Sequence, residues 1–163
     1  MNRGDIMIIS NLTNKNLINL NLDVKDRKEA ILKLASMMEQ DGKLISKEAF
    51  VMDVIRREKE SSTGFGKGFA FPHGKSYAVK EPCFAIGRSE KGIKWESFDK
   101  KPVHFVILLA VPSEERGTSH LEMLSQISRK LIDDEYKLRL LEAKSEEDII
   151  SILASPVNEI CED

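Results

Sequence analysis

The sequence has few of the residues on which several protein classes depend. Only two of its 163 residues are cysteines, Cys83 and Cys161, and they form no Cys-x-x-Cys motif. This pattern indicates neither a redox pair nor a zinc knuckle, and it fits a reducing compartment. A chain of this length buries enough surface to fold as one domain without a disulfide or a metal. We therefore expect a single domain over residues 1–163, with a loose tail from about residue 155.

Strong charge bias and long apolar runs are also lacking. Lysine and arginine total 25 against 27 acidic residues, a net charge of -2, and the two signs are interspersed. No basic footprint for nucleic acid is visible. The longest apolar run, Phe105–Val111, is too short to span a membrane, and the apolar patch Ile6–Ile9 lacks a following cleavage site for a signal peptide. We expect a cytoplasmic protein that neither binds nucleic acid nor inserts into a membrane.

Hydrophobic periodicity predicts strands and helices in alternation along the chain. Phe105–Val111 is almost wholly apolar, which is typical of a strand covered on both faces. The order of elements predicts an α/β fold with a sheet between helical layers. The predicted strands are Leu17–Leu22, Phe69–Phe71, Cys83–Gly87 and Val103–Val111, and the predicted helices are Asp26–Asp41, a helix capped by Ser46, a helix from Ser119, Glu135–Ala143 and Glu146–Ala154.

Three histidines are the candidates for chemistry. His104 lies inside an apolar strand and is interpreted as structural. His73 follows a glycine-rich loop; Pro72 fixes the backbone before it and Gly74 permits a turn after it. Such a site can present a side chain at the end of a strand, where ligand sites of α/β proteins gather. The local sequence supports an ordinary turn residue at His73 equally well.

His120 falls at the first helical position after Ser119. Free N–H groups and the positive end of the helix dipole favour an anion there. The alternative is a solvent-exposed residue of the first turn. Together, two histidines and an arginine suit phosphoryl transfer to nitrogen, because a neutral imidazole is a nucleophile at pH 7 and the transfer depends on positioning and charge stabilisation.

Other motifs fit less well. The loop Gly64–Phe69 lacks the third glycine of the dinucleotide fingerprint. The segment Gly68–Ser76 resembles a Walker A loop, but five residues separate Gly68 from Gly74 where that motif requires four. No Gly-x-Ser-x-Gly elbow supports a serine hydrolase. A zinc site from His73, His120 and an acidic residue is possible, but no metal-binding histidine spacing is present.

The stretch Ser62–Gly74 (STGFGKGFAFPHG) closely resembles the active-site signature of the fructose/mannitol-type enzyme IIA of the bacterial phosphoenolpyruvate-dependent sugar phosphotransferase system. The resemblance extends from about Leu12 to Leu153. It includes Arg57-Glu58-Lys59, Pro102–Pro112 and Thr118–Leu121. Phe69 and Phe71 depart from it, standing where aliphatic residues are usual.

The resemblance implies specific roles for three residues. His73 matches the histidine that is phosphorylated, His120 matches a second histidine that helps hold the phosphoryl group, and Arg57 matches an arginine that stabilises its charge. The neighbouring Arg56 is interpreted as solvated. The family is similar in having a three-layer α/β/α sandwich with a mixed central sheet, and no cofactor or metal is implied.

The implied partners are proteins. The donor would be the histidine-containing phosphocarrier protein, charged by enzyme I, and the acceptor a IIB domain that serves sugar uptake. Cys83–Arg88 and Gly92–Trp95 favour the fructose-type transport branch by resemblance. The alternative is a nitrogen-type regulatory IIA protein that signals through phosphorylation-dependent binding to other proteins.

Overall fold

The computed structural model describes residues 9–113 and 119–154, with the backbone alone at positions 9, 10, 119–121, 123 and 124. The chain forms two compact units, one of residues 16–114 and one of residues 1–15 with 115–163. The predicted loose tail lies outside the described residues, and the single domain stays a prediction.

A mixed six-stranded sheet organises the unit of residues 16–114. Its long central pair, β5 and β6, is antiparallel, whereas β1 pairs with β5 in parallel and β3 and β4 both pair with β6 in parallel. A further strand, β2, pairs with β3 in antiparallel fashion. The predicted α/β fold with a mixed sheet is confirmed. The strands are β1 (Ile18–Asn19), β2 (Gly64–Gly66), β3 (Phe69–Ala70), β4 (His73–Ser76), β5 (Cys83–Ile93) and β6 (Val103–Pro112).

Two helices, α1 (Arg27–Gln40) and α2 (Lys47–Glu60), begin at side-chain caps, of which the sequence predicts the one at Ser46. The Asp26 side chain accepts a hydrogen bond from the Glu29 amide at 2.9 Å, and the Ser46 hydroxyl accepts one from the Ala49 amide at 3.2 Å. Each cap satisfies an amide that the first helical turn leaves without a partner. The two helices therefore have defined starting points before their apolar faces pack.

The central strand β6 is buried on both faces, as its apolar run predicts. Val106, Leu108 and Ala110 join a core cluster with the buried faces of α1 and α2. The intervening residues Phe105 and Ile107 are buried as well. Because side chains alternate across a strand, the two sets point to opposite faces of the sheet.

Two predicted strands differ from the structure. Of the predicted strand Leu17–Leu22, only Ile18–Asn19 pair with β5. Lys15–Leu17 form a 3-10 helix before it, and the Leu22 amide donates a separate hydrogen bond to the Arg88 carbonyl. The apolar alternation there reflects burial of the leucines rather than a continuous ladder.

The second difference concerns the stretch that leads to His73. The strand β3 ends at Ala70, and His73 opens β4 rather than following a strand. Between the two strands, the Phe71 amide donates to the Thr63 carbonyl at 3.1 Å on the side of β2, while the Pro72 carbonyl accepts from the Leu109 amide of β6 at 3.0 Å. Pro72 has no amide to donate, which makes a break in the ladder inexpensive there.

Gly74 is the point at which α2 comes closest to β4. A Cβ atom at this position would lie 2.8 Å from Cγ2 of Val54 and 3.3 Å from Cε1 of Phe50. Gly74 therefore serves close helix–strand packing within a strand, and not the sharp turn that the sequence suggests. Arg57 lies one helical turn beyond Val54, so this contact also brings the end of α2 toward His73.

We predict that Gly74→Ala destabilises the protein, because the added methyl group must displace the Val54 and Phe50 side chains of α2. Overpacking of this kind costs about 1–3 kcal/mol of unfolding free energy. The matched control is Lys75→Ala, an exposed neighbour in the same strand, for which the change should stay within about 0.5 kcal/mol. Urea denaturation of both variants tests this, and equal midpoints would refute the crowding argument.

The second unit contains three helices, α3 (Ser119–Leu131), α4 (Asp134–Glu142) and α5 (Glu146–Ala154). The Tyr136 hydroxyl of α4 donates to the Ile152 carbonyl of α5 at 3.2 Å. A serine caps α5, since the Ser145 hydroxyl accepts from the Asp148 amide at 3.1 Å. Among the described residues, no helix combines the length and apolar character needed to cross a membrane.

Candidate functional site

His73 is half-buried at the start of β4, and its ring is oriented by the backbone two residues earlier. Nδ1 lies 3.1 Å from the Phe71 carbonyl oxygen. A carbonyl can only accept, so Nδ1 carries the proton in this bond. In the neutral ring the lone pair is then on Nε2, which makes Nε2 the nucleophilic nitrogen.

The surroundings of His73 favour its neutral form. Burial lowers the pKa of the imidazole below 6.5, because desolvation penalises the charged ring. The hydrogen bond to the Phe71 carbonyl and the negative charge of Glu58 raise the pKa, while the positive charge of Arg57 lowers it, and the net direction is downward. The ring is therefore neutral and nucleophilic at pH 7.

Arg57 stands in the last turn of α2, and its charge acts on His73. Its Nη1 donates to the Ser61 carbonyl at 2.9 Å, which holds the half-buried guanidinium over the end of the helix. The neighbouring Arg56 has a different position: its side chain is 66% exposed and pairs with Asp53 at 2.9 Å. Of the two arginines, Arg57 is therefore the one whose charge acts on the imidazole.

Glu58 is a residue of this region to which the sequence analysis assigned no role. Its side chain is 2% exposed, and its oxygens accept hydrogen bonds from Thr63 and Trp95. The sequence does contain a signal, because Glu58 continues the buried stripe of α2 formed by Val51 and Val54. A charged residue at a core position needs partners, and these come from distant parts of the chain.

The other two histidines occupy different surroundings. His104 donates from Nδ1 to the Ser89 carbonyl at 2.8 Å, a bond between β6 and β5 that is consistent with a structural role. His120 is the second residue of α3, in the unit of C-terminal helices, and its side chain lies outside the described residues. The pairing of His120 with His73 stays a prediction.

A resident metal has no evident ligand set in the part of the chain that the structure describes. Within residues 9–113 and 119–154, no three histidine, cysteine or acidic side chains converge as metal ligands would. The described groups around His73 are instead its own imidazole, the Arg57 guanidinium, backbone carbonyls and the Glu58 carboxylate, which is occupied by hydrogen bonds from Thr63 and Trp95. This set suits a group that binds covalently to nitrogen and carries negative charge.

Comparison with protein families gives one match that spans most of the chain. Residues 11–155 match the family described as the phosphoenolpyruvate-dependent sugar phosphotransferase system, EIIA 2. The chain belongs to this family. The predicted resemblance to fructose/mannitol-type IIA components is therefore confirmed over almost the whole chain.

Individual relatives agree with the family. A fructose-specific EIIABC component of Bacillus subtilis is 39% identical over 90% of this chain, and a fructose-specific EIIA component of Haloferax volcanii is 33% identical over 94%. The chain spans 23% of the Bacillus relative but 99% of the Haloferax one. The crystal structure of nitrogen regulatory protein IIA-Ntr from Neisseria meningitidis has a TM-score of 0.82 and 28% identity, covering 90% of this chain and 99% of that one.

We predict that Arg57→Gln raises the pKa of His73, because it removes a positive charge that disfavours the imidazolium. The measurement is an NMR titration of the histidine rings, with His73→Ala to assign the resonance. Arg56→Gln is the matched control and should leave the His73 midpoint unchanged. A wild-type midpoint above 6.5, or equal shifts in both variants, would contradict the electrostatic assignment.

Proposed function

We propose that this chain is a phosphocarrier that accepts a phosphoryl group on Nε2 of His73 and passes it to a second protein. The observation that carries the proposal is the bond from Nδ1 of His73 to the Phe71 carbonyl, which leaves the lone pair on Nε2. Membership of the EIIA 2 family supports it independently.

In the proposed reaction, the Nε2 lone pair attacks the phosphorus of a phosphohistidine on the donor protein. An N–P bond forms at His73 while the N–P bond of the donor breaks, and that electron pair returns to the donor ring. Nδ1 of His73 keeps its proton, so the Phe71 carbonyl remains a suitable partner throughout. Transfer to the acceptor reverses these roles, and no cofactor or metal takes part.

Arg57 and His120 are the residues we assign to the charge of the phosphoryl group. Arg57 has a half-buried guanidinium whose field already reaches His73. His120 follows the first residue of α3, and N–H groups at a helix start favour an anion. Stabilising the charge that is shared in the transition state is the main electrostatic contribution such a site can make.

The partners we propose are those of a sugar phosphotransferase system. The donor is the histidine-containing phosphocarrier protein, and the acceptor is a IIB domain. Support for a IIB acceptor comes from the Bacillus relative, whose name joins A, B and C components and of which this chain matches 23%. Fructose-type sugar uptake is favoured because two of the relatives are fructose-specific components. A cytoplasmic location stays a prediction.

A regulatory role is the second candidate. The structural likeness to the nitrogen regulatory protein of Neisseria meningitidis, at a TM-score of 0.82, supports it. In that case the phosphorylation state of His73 would control binding to other proteins rather than feed sugar uptake. The His73 chemistry is the same in both roles, so the two differ in the acceptor alone.

We predict a phosphate adduct on His73 when the chain is mixed with phosphoenolpyruvate, enzyme I and the histidine-containing phosphocarrier protein. Intact mass spectrometry should show one acid-labile adduct on wild type and none on His73→Ala. His104→Gln is the matched control and should retain the adduct, because His104 bonds within the sheet. His120→Ala should slow the appearance of the adduct. An adduct that persists in His73→Ala would refute the assignment.

A second experiment separates transport from regulation. The phosphorylated chain is mixed with a fructose-type IIB domain, and loss of the adduct is followed by mass spectrometry. We expect the phosphoryl group to move to IIB within minutes, whereas IIB alone should gain none from phosphoenolpyruvate. An adduct that decays at the same rate with and without IIB would favour the regulatory role.

A further inference from the structure

The side chain of Glu58 is almost completely buried, at 2% exposed, although its neighbour Lys59 is in solvent. A buried carboxylate is costly unless donors surround it. Here Thr63 and Trp95 donate hydrogen bonds to the carboxylate, and Arg27 forms an ion pair with it. Oε2 accepts from the Thr63 amide at 2.8 Å and from Nε1 of Trp95 at 2.9 Å, Oε1 accepts from the Thr63 hydroxyl at 2.7 Å, and Nη1 of Arg27 lies 3.7 Å from Oε2.

Thr63 connects this carboxylate to His73 through the backbone. The Thr63 carbonyl accepts from the Phe71 amide at 3.1 Å. The Phe71 carbonyl in turn accepts from Nδ1 of His73 at 3.1 Å. The path from Glu58 to the imidazole therefore contains only two intervening residues, and both are held at their backbone atoms. A shift of Thr63 moves the carbonyl that orients the ring.

Stability alone is a weak explanation for Glu58. Desolvation offsets much of the attraction in a buried ion pair, and an apolar side chain of similar size often stabilises a protein as well. The carboxylate instead fixes the positions of Thr63 and Trp95, because the two bonds from Thr63 and the bond from Trp95 meet on the two oxygens of one side chain. Charged acceptors also make shorter and stronger bonds than neutral ones.

We propose that Glu58 is a positioning residue for His73: its carboxylate fixes Thr63, and through Thr63 and Phe71 it holds the ring with the proton on Nδ1 and the lone pair on Nε2. The consequence of this positioning for phosphoryl transfer rests on the proposed function. The effect on the ring itself is independent of that function. Glu58 touches no reacting atom, and it orients the ring through the loop.

The test measures the His73 ring nitrogens by NMR in unphosphorylated protein, in the pH range where the ring is neutral. Glu58→Ala removes every bond to Thr63 and Trp95, and we expect the Nε2–H form to become populated. Glu58→Gln is the conservative variant. Its amide oxygen can accept from the Thr63 amide and Trp95 while its NH2 donates to the Thr63 hydroxyl, so the Nδ1–H form should persist.

A matched control separates positioning from loss of stability. Leu34→Ala opens the buried core of α1 and should destabilise the protein without altering the His73 ring. Unfolding midpoints are measured for all variants to compare the ring signals at similar stability. If Glu58→Ala does not fold, Thr63→Val replaces it, since it deletes one of the two bonds to Glu58 at nearly constant shape.

The same variants are then assayed for adduct formation. A misplaced nucleophile costs on the order of 100-fold in rate, so Glu58→Ala should slow transfer by about 10- to 100-fold, and Glu58→Gln should restore most of it. The proposal is overturned if Glu58→Ala or its replacement keeps the wild-type ring signals, if Glu58→Gln loses them, or if Leu34→Ala changes them. If wild type forms no adduct while the ring signals behave as expected, the proposed function fails and the positioning role stands.

Discussion

The close contact between α2 and β4 at Gly74 is the constraint from which the arrangement around His73 follows. A glycine at this position lets the helix approach to a distance that a methyl group would prevent, with Val54 against the strand backbone. One helical turn later come Arg57 and Glu58, whose charges act on His73. Helix packing and site electrostatics are therefore set by the same contact.

Two adjacent charged residues near His73, Arg57 and Glu58, lie in opposite surroundings. Arg57 keeps its guanidinium half exposed over the end of α2, where it can meet an incoming anion. The carboxylate of Glu58, the next residue, is buried in the core and accepts hydrogen bonds from donors inside the protein. Adjacent helix positions point about 100° apart, so one short stretch can face both solvent and core. The Arg57 charge is therefore accessible from solvent, while the Glu58 carboxylate is enclosed by its hydrogen-bond partners.

The mixed sheet places His73 beside its long central ladder, because β4 pairs with β6. The strands β5 and β6 form that ladder and are buried, so they supply a rigid platform. Between β3 and β4, Pro72 has no amide for the ladder, although its carbonyl still accepts from the Leu109 amide of β6. The Phe71 amide bonds Thr63, and the Phe71 carbonyl accepts from the imidazole. The short segment between the two strands therefore orients His73.

Local patterns in the sequence determined much of the architecture. The cap at Ser46, the almost wholly apolar β6 and the α/β order depend on contacts a few residues apart or on simple periodicity, and the structure agrees with them. The signature around His73, together with Arg57 and His120, identified the family before any coordinates. The choice of Arg57 over Arg56 also came from the sequence, although it rested on resemblance.

Only the tertiary structure decided the rest. The sequence treated Gly74 as a turn, Leu17–Leu22 as one strand and Glu58 as a residue without a role, because in each case the partner is distant along the chain. Val54 against Gly74, Arg88 against Leu22 and Trp95 against Glu58 are contacts that no local period encodes. The proton position on His73 likewise depends on where the Phe71 carbonyl points between β3 and β4. Patterns fix which segments are helix or strand, but long-range packing fixes which atoms meet.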